Sequence, residues 1–231
     1  MQLPVERKMQ MKHTTESKKE AEKETEKGTE KETNDKEKNG SRTPKPGIVY
    51  HVSDTSGIRV LQPRVSTHKK PYVYAIDNLV TGLLFGVRKD DFDFLITTDQ
   101  EDRPVVYECY PDAFRQKYEG RSCSIYELSE EGFVRGATSW TPELVSERET
   151  PVLRETVVPD LYSRLLEEEK QGNLVLQRYQ DTSEYKKMIV IPIVDRLIRF
   201  DVLDGDWERD SRFATYYRPL IEGLLAFTNG H

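Results

Sequence analysis

Three side chains between Val49 and Phe85 have the chemistry expected of a binding site. His51 lies at the end of a short β-prone run, 49–52, and is followed by turn residues. Side chains at strand ends often bind ligands. Tyr72 and Tyr74 are two residues apart in a second alternating run, so both rings lie on one face of the predicted strand. An imidazole that can hydrogen-bond and titrate therefore lies near two aromatic rings on neighbouring strands.

The elements that hold these residues follow the order strand, loop, strand, helix. The run Tyr72 to Ile76 predicts the second strand, and apolar residues between 79 and 87 recur at helical spacing. Asp77 or Asn78 is placed to cap this helix at its N-terminus. Much later in the chain, Glu143 follows Pro142 and opens another short predicted strand.

The remaining patterns predict an α+β fold with small mixed or antiparallel sheets. Two alternating runs, 91–97 and 105–110, predict a β-hairpin, and Asp160 is placed to cap a charged helix. Two helical segments are predicted near the C-terminus, from Lys187 to about Leu203 and from Trp207 to Phe227. The second carries an apolar stripe that faces either the core or a partner: Phe213, Tyr216, Leu220, Leu224 and Phe227.

Composition divides the 231 residues into a charged leader and a globular part. From Glu6 to about Pro46 no residue is aromatic and Lys alternates with Glu, so this segment cannot bury enough apolar surface to fold. We expect a disordered Lys/Glu-rich leader and linker over residues 1–47, acting as a tether or as a partner-binding arm. An α+β domain over 48–183 and a C-terminal helical extension over 184–231, packed on it, complete the predicted organisation.

Charge argues against nucleic-acid binding as the main function. The formal net charge is −6, whereas a protein that binds nucleic acid needs a concentrated basic face. A local basic patch is left as an alternative: Arg64, His68, Lys69 and Lys70.

Several other classes of site are not supported by the sequence. The two cysteines, Cys109 and Cys123, are too few for a disulfide framework or a cysteine-based zinc site. The aspartates between 90 and 99 lack the spacing of a calcium loop, and no histidine-rich metal motif is present, so we expect no metal. No apolar run of about 18 residues and no apolar signal core occur, so we expect a cytoplasmic protein that does not cross the membrane.

The order of the chemically interesting residues resembles the His-Tyr-Glu arrangement of ADP-ribosyltransferases, the superfamily of poly(ADP-ribose) polymerases and diphtheria-type toxins. The matching pieces lie within about residues 48 to 180: Tyr50-His51-Val52-Ser53, Pro71-Tyr72-Val73-Tyr74-Ala75 and Pro142-Glu143-Leu144-Val145-Ser146. The resemblance implies a split ADP-ribosyltransferase-like core, with NAD as a substrate and a protein among the possible acceptors.

The resemblance also implies a role for each catalytic residue. His51 would hydrogen-bond a ribose hydroxyl of NAD, and Tyr74 would stack on the nicotinamide ring. Tyr72 would support the pocket wall or exchange roles with Tyr74. Glu143 would accept a hydrogen bond from the nicotinamide ribose and stabilise an oxocarbenium-like transition state.

Four further residues are implied to bind the dinucleotide. Val52 and Ser53 follow the histidine, and Val52 stands where the family usually has glycine, whose backbone clamps the nicotinamide amide. Arg59 and Arg64 lie in the loop that would meet the pyrophosphate. The residue two before Glu143 is Thr141, so arginine is not the implied acceptor.

Each of these residues also has a purely structural interpretation. A histidine at a strand end can be a solvent-exposed or structural residue, two tyrosines on one strand face can be half-buried packing, and a lone glutamate is commonly a surface residue. The alternative function is therefore a module of the same fold that binds NAD, ADP-ribose or a protein without turnover.

Overall fold

The structure is a computed structural model, and it describes residues 45–65, 70–87, 92–138, 140–199 and 211–222. The predicted leader lies outside the described residues except for residues 45–47. In chain order, the helices and strands are β1 (Ile48–Ser53), β2 (Val60–Leu61), β3 (Arg64–Val65), β4 (Pro71–Ile76), α1 (Leu79–Leu83), β5 (Phe94–Thr98), β6 (Pro104–Glu108), α2 (Ala113–Tyr118), β7 (Cys123–Ser129), β8 (Val134–Arg135), β9 (Glu143–Ser146), β10 (Thr150–Pro151), β11 (Arg154–Val158), α3 (Leu161–Lys170), β12 (Val175–Gln177), α4 (Ser183–Arg199) and α5 (Ser211–Tyr216).

The strands form one large sheet and two small ones, which confirms the α+β class. The large sheet has the order β11-β7-β1-β4-β9-β8, with β3 also paired to β4, and all of its pairings are antiparallel. The hairpin β5–β6 is extended by β12, which runs parallel to β6, and β2 pairs with β10. The large sheet has seven strands, whereas small sheets were predicted. Two of its strands, β3 and β8, have only two residues each. Such short segments show no alternation of their own and become strands only by pairing with a neighbour.

The predicted caps are present at both helices that flank the sheet. The Asn78 side chain accepts a hydrogen bond from the Thr81 N–H, and the Asp160 side chain accepts one from the Ser163 N–H. The first helix ends at Leu83 rather than near residue 87, because the next residues bond three positions back in a tightening turn.

The β-prone run 150–158 forms two strands in two different sheets. β10 pairs with β2, whereas β11 pairs with β7. The change occurs at the connecting residues, where the Val152 N–H donates to the Arg59 carbonyl and the Leu153 N–H donates to the Glu127 carbonyl. Local alternation cannot reveal such a switch, because a strand of two residues such as β10 has no alternation of its own.

The core occupies both faces of the large sheet. One face carries a smaller cluster that includes Val49, Ala75 and Leu144, while the larger cluster contains Tyr50 and Ile76 from the opposite face. The alternation of buried residues follows the period of two expected for strands.

The C-terminal helices pack in the larger cluster. Tyr185 and Ile193 of α4 are buried there, as is Phe213 of α5. Tyr216 and Leu220 also pack against it, which confirms the core interpretation of the stripe, while Leu224 and Phe227 lie outside the described residues. α4 begins at Ser183, four residues before the prediction, so that Pro192 lies in its interior. None of the described helices is long and apolar enough to cross a membrane.

Candidate functional site

A cavity of about 290 Å³ opens between β1 and β4. The ladder between these strands consists of one pair, Tyr50 with Ile76, whereas β1 pairs with β7 at six positions. Beyond that pair the facing residues of the two strands line the cavity instead of continuing the ladder. The strands and loops contribute the following lining residues: Tyr50, His51, Val52, Tyr74, Ala75, Ile76, Gly82, Phe85, Trp140 and Glu143.

The three residues predicted to be catalytic, His51, Tyr74 and Glu143, line this one cavity although they come from three strands. The reason is the position of β4 in the sheet. Ile76 of β4 is the partner of Tyr50 on one side and of Glu143 on the other. The start of β9 is thereby held at the level where β1 and β4 part.

The imidazole of His51 bridges the gap between the two strands. Its Nδ1 lies 2.8 Å from the carbonyl oxygen of Tyr74. Because a carbonyl oxygen only accepts, Nδ1 carries the proton in this bond, and the neutral ring has Nε2 as an acceptor. The side chain of His51 thus replaces a ladder bond that the diverging backbones do not make.

The surroundings of His51 keep it neutral near pH 7. Burial lowers the pKa of His51 below its ordinary value of 6.5, and the positive charge of Arg64 lowers it further, while the bond to the Tyr74 carbonyl opposes both effects. The net direction of the pKa shift is downward, so Nε2 is an acceptor and not a donor at neutral pH.

The stability of the protein should consequently decrease as the pH falls below 6.5, and the variant His51→Gln should show a smaller decrease. At pH values between the lowered pKa of His51 in the folded protein and 6.5, the unfolded chain binds a proton at this histidine more readily than the folded protein does. The contribution of neutral His51 is therefore complete above 6.5 and is lost as the pH falls toward the folded value. Carboxylates with a lowered pKa, such as Glu127, have their effect below 4.5.

Urea unfolding of both proteins at about pH 7.5 and about pH 5.5 measures this difference, because only the free energy of unfolding linked to His51 differs between them. An identical loss of stability in the wild type and in His51→Gln would contradict the prediction.

The two tyrosines have different positions relative to the cavity. Tyr74 is half-buried and lines it, whereas Tyr72 is 5% exposed and does not. The ring centroids are 5.9 Å apart in an edge-to-face arrangement, so Tyr72 supports the Tyr74 ring from the side. Tyr74 is therefore the one of the two tyrosines that a molecule in this cavity would contact.

Gly82 and Phe85, in the wall opposite the strands, were not predicted as part of the site. A Cβ on Gly82 would lie 3.0 Å from Cγ2 of Ile76 and 3.2 Å from Cγ2 of Val52, so glycine permits the close approach of α1 to both strands. Phe85 is 40% exposed, and its ring lies 5.2 Å from that of Trp140. A glycine inside an apolar helix was the available sequence signal, because it indicates close packing.

Besides Tyr72, three residues predicted to bind the dinucleotide do not line the cavity: Ser53, Arg59 and Arg64. The Gly57 N–H donates to Glu155 of β11, and the Tyr126 hydroxyl donates to the Thr55 carbonyl. These bonds draw the loop that carries Arg59 toward the side of β1 away from β4. The Ser53 hydroxyl accepts the Thr55 N–H in a local turn.

Arg64 lies on the other side, nearer the cavity. It is an exposed residue of β3, opposite Tyr72 of β4, and its charge acts on His51. Among the other members of the basic patch, Lys70 is exposed, and His68 and Lys69 lie outside the described residues.

Metal and thiol chemistry find no support in the part of the chain that the structure describes. No group of three His, Cys, Asp or Glu residues there is placed to hold a metal ion. Asp93 and Asp99 pair with basic residues, and Asp90 and Asp91 are outside the described ranges. Burial raises the pKa of the Cys123 thiol to about 11, which keeps it protonated at neutral pH.

Comparison of the chain with protein-family models, with curated proteins and with solved structures found no match.

Proposed function

We propose that the protein binds NAD in the cavity between β1 and β4 and transfers the ADP-ribosyl group to an acceptor. The observation that supports this function is the convergence of His51, Tyr74 and Glu143 on one cavity, at the point where two sheet strands part. The resemblance to ADP-ribosyltransferases implies a split core, and the parting of β1 and β4 supports that expectation.

The size of the cavity suggests which part of NAD it takes. Ligand pockets commonly measure about 300 to 1000 Å³, and this one, at about 290 Å³, is at the lower limit. It fits the nicotinamide and its ribose, while the adenosine half would extend over the surface. Arg64, exposed on β3, is the nearest candidate among the predicted arginines for contact with that half.

The walls fit a flat aromatic ring attached to a polar sugar. Tyr74 offers one ring face, and the pair of Phe85 and Trp140 makes an apolar wall. Neutral His51 has its Nε2 as an acceptor for a ribose hydroxyl. Glu143 adds a carboxylate to the same enclosure.

Glu143 would supply the chemistry of the transfer. When the bond between the ribose and the nicotinamide nitrogen breaks, positive charge develops on the ribose, and nicotinamide leaves with the bonding electrons. A carboxylate held in a partly desolvated cavity stabilises that charge more than water does. The acceptor then attacks the ribose carbon and loses its proton.

A module that binds NAD or ADP-ribose without turnover is the second candidate. Val52 favours it, because this residue stands where the family usually has glycine and its side chain packs in the larger core. The backbone at this position therefore has less freedom to clamp the nicotinamide amide.

Tyr74→Ala should weaken NAD binding about tenfold, because it removes the stacking face. Tyr74→Phe keeps that face and should bind within about twofold of the wild type. Calorimetry with NAD and an assay of nicotinamide release test binding and turnover together. Tyr107→Ala, which removes a tyrosine from the sheet of β5, β6 and β12, is the matched control.

The outcomes separate the two candidates. Binding with release supports transfer, and binding without release supports the non-catalytic module. If wild-type protein shows neither a heat of binding nor release, NAD is not the ligand of this cavity.

A further inference from the structure

We propose that a second cavity, of about 450 Å³, binds a small polyphosphate anion. It is lined by Lys117, Arg121 and Arg212, and it shares no lining residue with the cavity between β1 and β4. The proposal is therefore independent of NAD binding. Phosphate oxygens are the groups that such a set of guanidinium and ammonium donors recognises.

The three cations come from two regions of the chain. Lys117 lies in the last turn of α2, Arg121 follows α2 after the left-handed Gly120, and Arg212 lies in α5. The backbone of Arg121 is fixed on both sides, since its N–H donates to Tyr118 and its carbonyl accepts the Leu161 N–H. Its exposed side chain is therefore presented from a rigid turn.

A buried carboxylate orients the other two cations. Asp93 is fully buried, with Lys117 Nζ 2.9 Å from Oδ2 and Arg212 Nη1 3.2 Å from Oδ1. The same Arg212 nitrogen donates to the Tyr110 hydroxyl at 2.9 Å, and the guanidinium lies over the rings of Tyr110 and Phe92 at 5.3 and 5.4 Å. Both cations are thus held in place before any ligand binds, which lowers the entropy cost of binding.

The local charge favours an anion. One buried carboxylate faces two cations, and Arg121 adds a third positive charge. Among the described lining residues, Asp54 is the one carboxylate. Among the described residues, three cations thus face two carboxylates, Asp93 and Asp54, and an anion would balance the one positive charge that remains.

The remaining lining residues favour phosphate groups over an aromatic ligand. Gln116 and Ser122 add neutral polar groups, and Val87 is the one apolar side chain among the described lining residues. No aromatic face of the kind that stacks a base lines this cavity within the described part of the chain. The net charge of −6 disfavours a long polyanion such as RNA, so a compact polyphosphate fits better.

Calorimetric titration of the full chain with inorganic tripolyphosphate tests the proposal. Arg121→Gln should weaken binding about tenfold, because one charge-assisted contact is lost. Arg115→Gln is the matched control, since it removes the same charge from an exposed residue of α2 that pairs with Glu119 outside the cavity. Arg115→Gln should bind like the wild type.

Binding should also weaken as sodium chloride is raised and should be unchanged in Glu143→Gln, which alters only the other cavity. Three results would overturn the proposal: no heat of binding with wild-type protein, an equal effect of the two arginine variants, or competition between tripolyphosphate and NAD. Tighter binding of a short RNA with the same dependence on Arg121 would identify a nucleic-acid site in its place.

Discussion

Glu143→Gln is expected to lower the rate of nicotinamide release from NAD about 100- to 1000-fold. The amide has nearly the same shape as the carboxylate but no charge, so it cannot stabilise the cationic ribose that forms as nicotinamide leaves. Binding of NAD should change little, because His51 and Tyr74 are untouched. Single-turnover measurements of nicotinamide release, with NAD affinity measured separately, distinguish these two effects.

The matched control for this experiment is Glu147→Gln. Glu147 directly follows β9, is exposed and does not line the cavity, so its substitution removes the same charge without changing the site. Turnover within about twofold of the wild type is expected for Glu147→Gln. If Glu143→Gln released nicotinamide as fast as Glu147→Gln, the carboxylate at 143 would have no part in the reaction.

Asp93→Ala is expected to destabilise the fold by about 3 kcal/mol. The fully buried carboxylate of Asp93 pairs with Lys117 and Arg212 and accepts the Tyr110 hydroxyl at 2.8 Å. Its removal takes away the carboxylate with which two partly buried cations pair. Urea unfolding followed by circular dichroism measures the loss.

A second substitution tests this explanation. Lys117→Met in the Asp93→Ala background removes one of the two cations that lost the Asp93 carboxylate and keeps most of the side-chain volume, so it should restore part of the lost stability. A double variant that is less stable than Asp93→Ala would show that the ion pair is not the cause. A loss below about 1 kcal/mol for Asp93→Ala would mean that solvent replaces the carboxylate with little cost.

The local elements were predictable because their signals are local. A β-prone run predicted β1, and period-two alternation predicted β4 and the β5–β6 hairpin. The side chains of Asn78 and Asp160 cap the helices predicted to start after them. The short strand opened by Glu143 was also predicted and is present as β9. Each of these features depends on interactions within a few residues of the chain.

The cavity wall and the position of Arg59 depend on contacts between residues that are far apart in the sequence. Phe85 and Gly82 line the cavity because α1 packs across β1 and β4, a contact that no spacing in the chain encodes. Arg59 lies away from the cavity because Glu155, nearly a hundred residues later, holds the preceding turn. Both outcomes depend on partners that are distant in sequence.

By itself the sequence determined the α+β class, most strands and the helix caps, since these follow from residue type and short-range periodicity. The candidates His51, Tyr74 and Glu143 came from the resemblance to ADP-ribosyltransferases. Only the tertiary structure decided that the ladder between β1 and β4 stops at one pair, that β4 joins β1 to β9, and that the three side chains consequently share one cavity. Strand order and the point at which two strands part are set by packing on both faces of the whole sheet, and that packing involves residues throughout the chain.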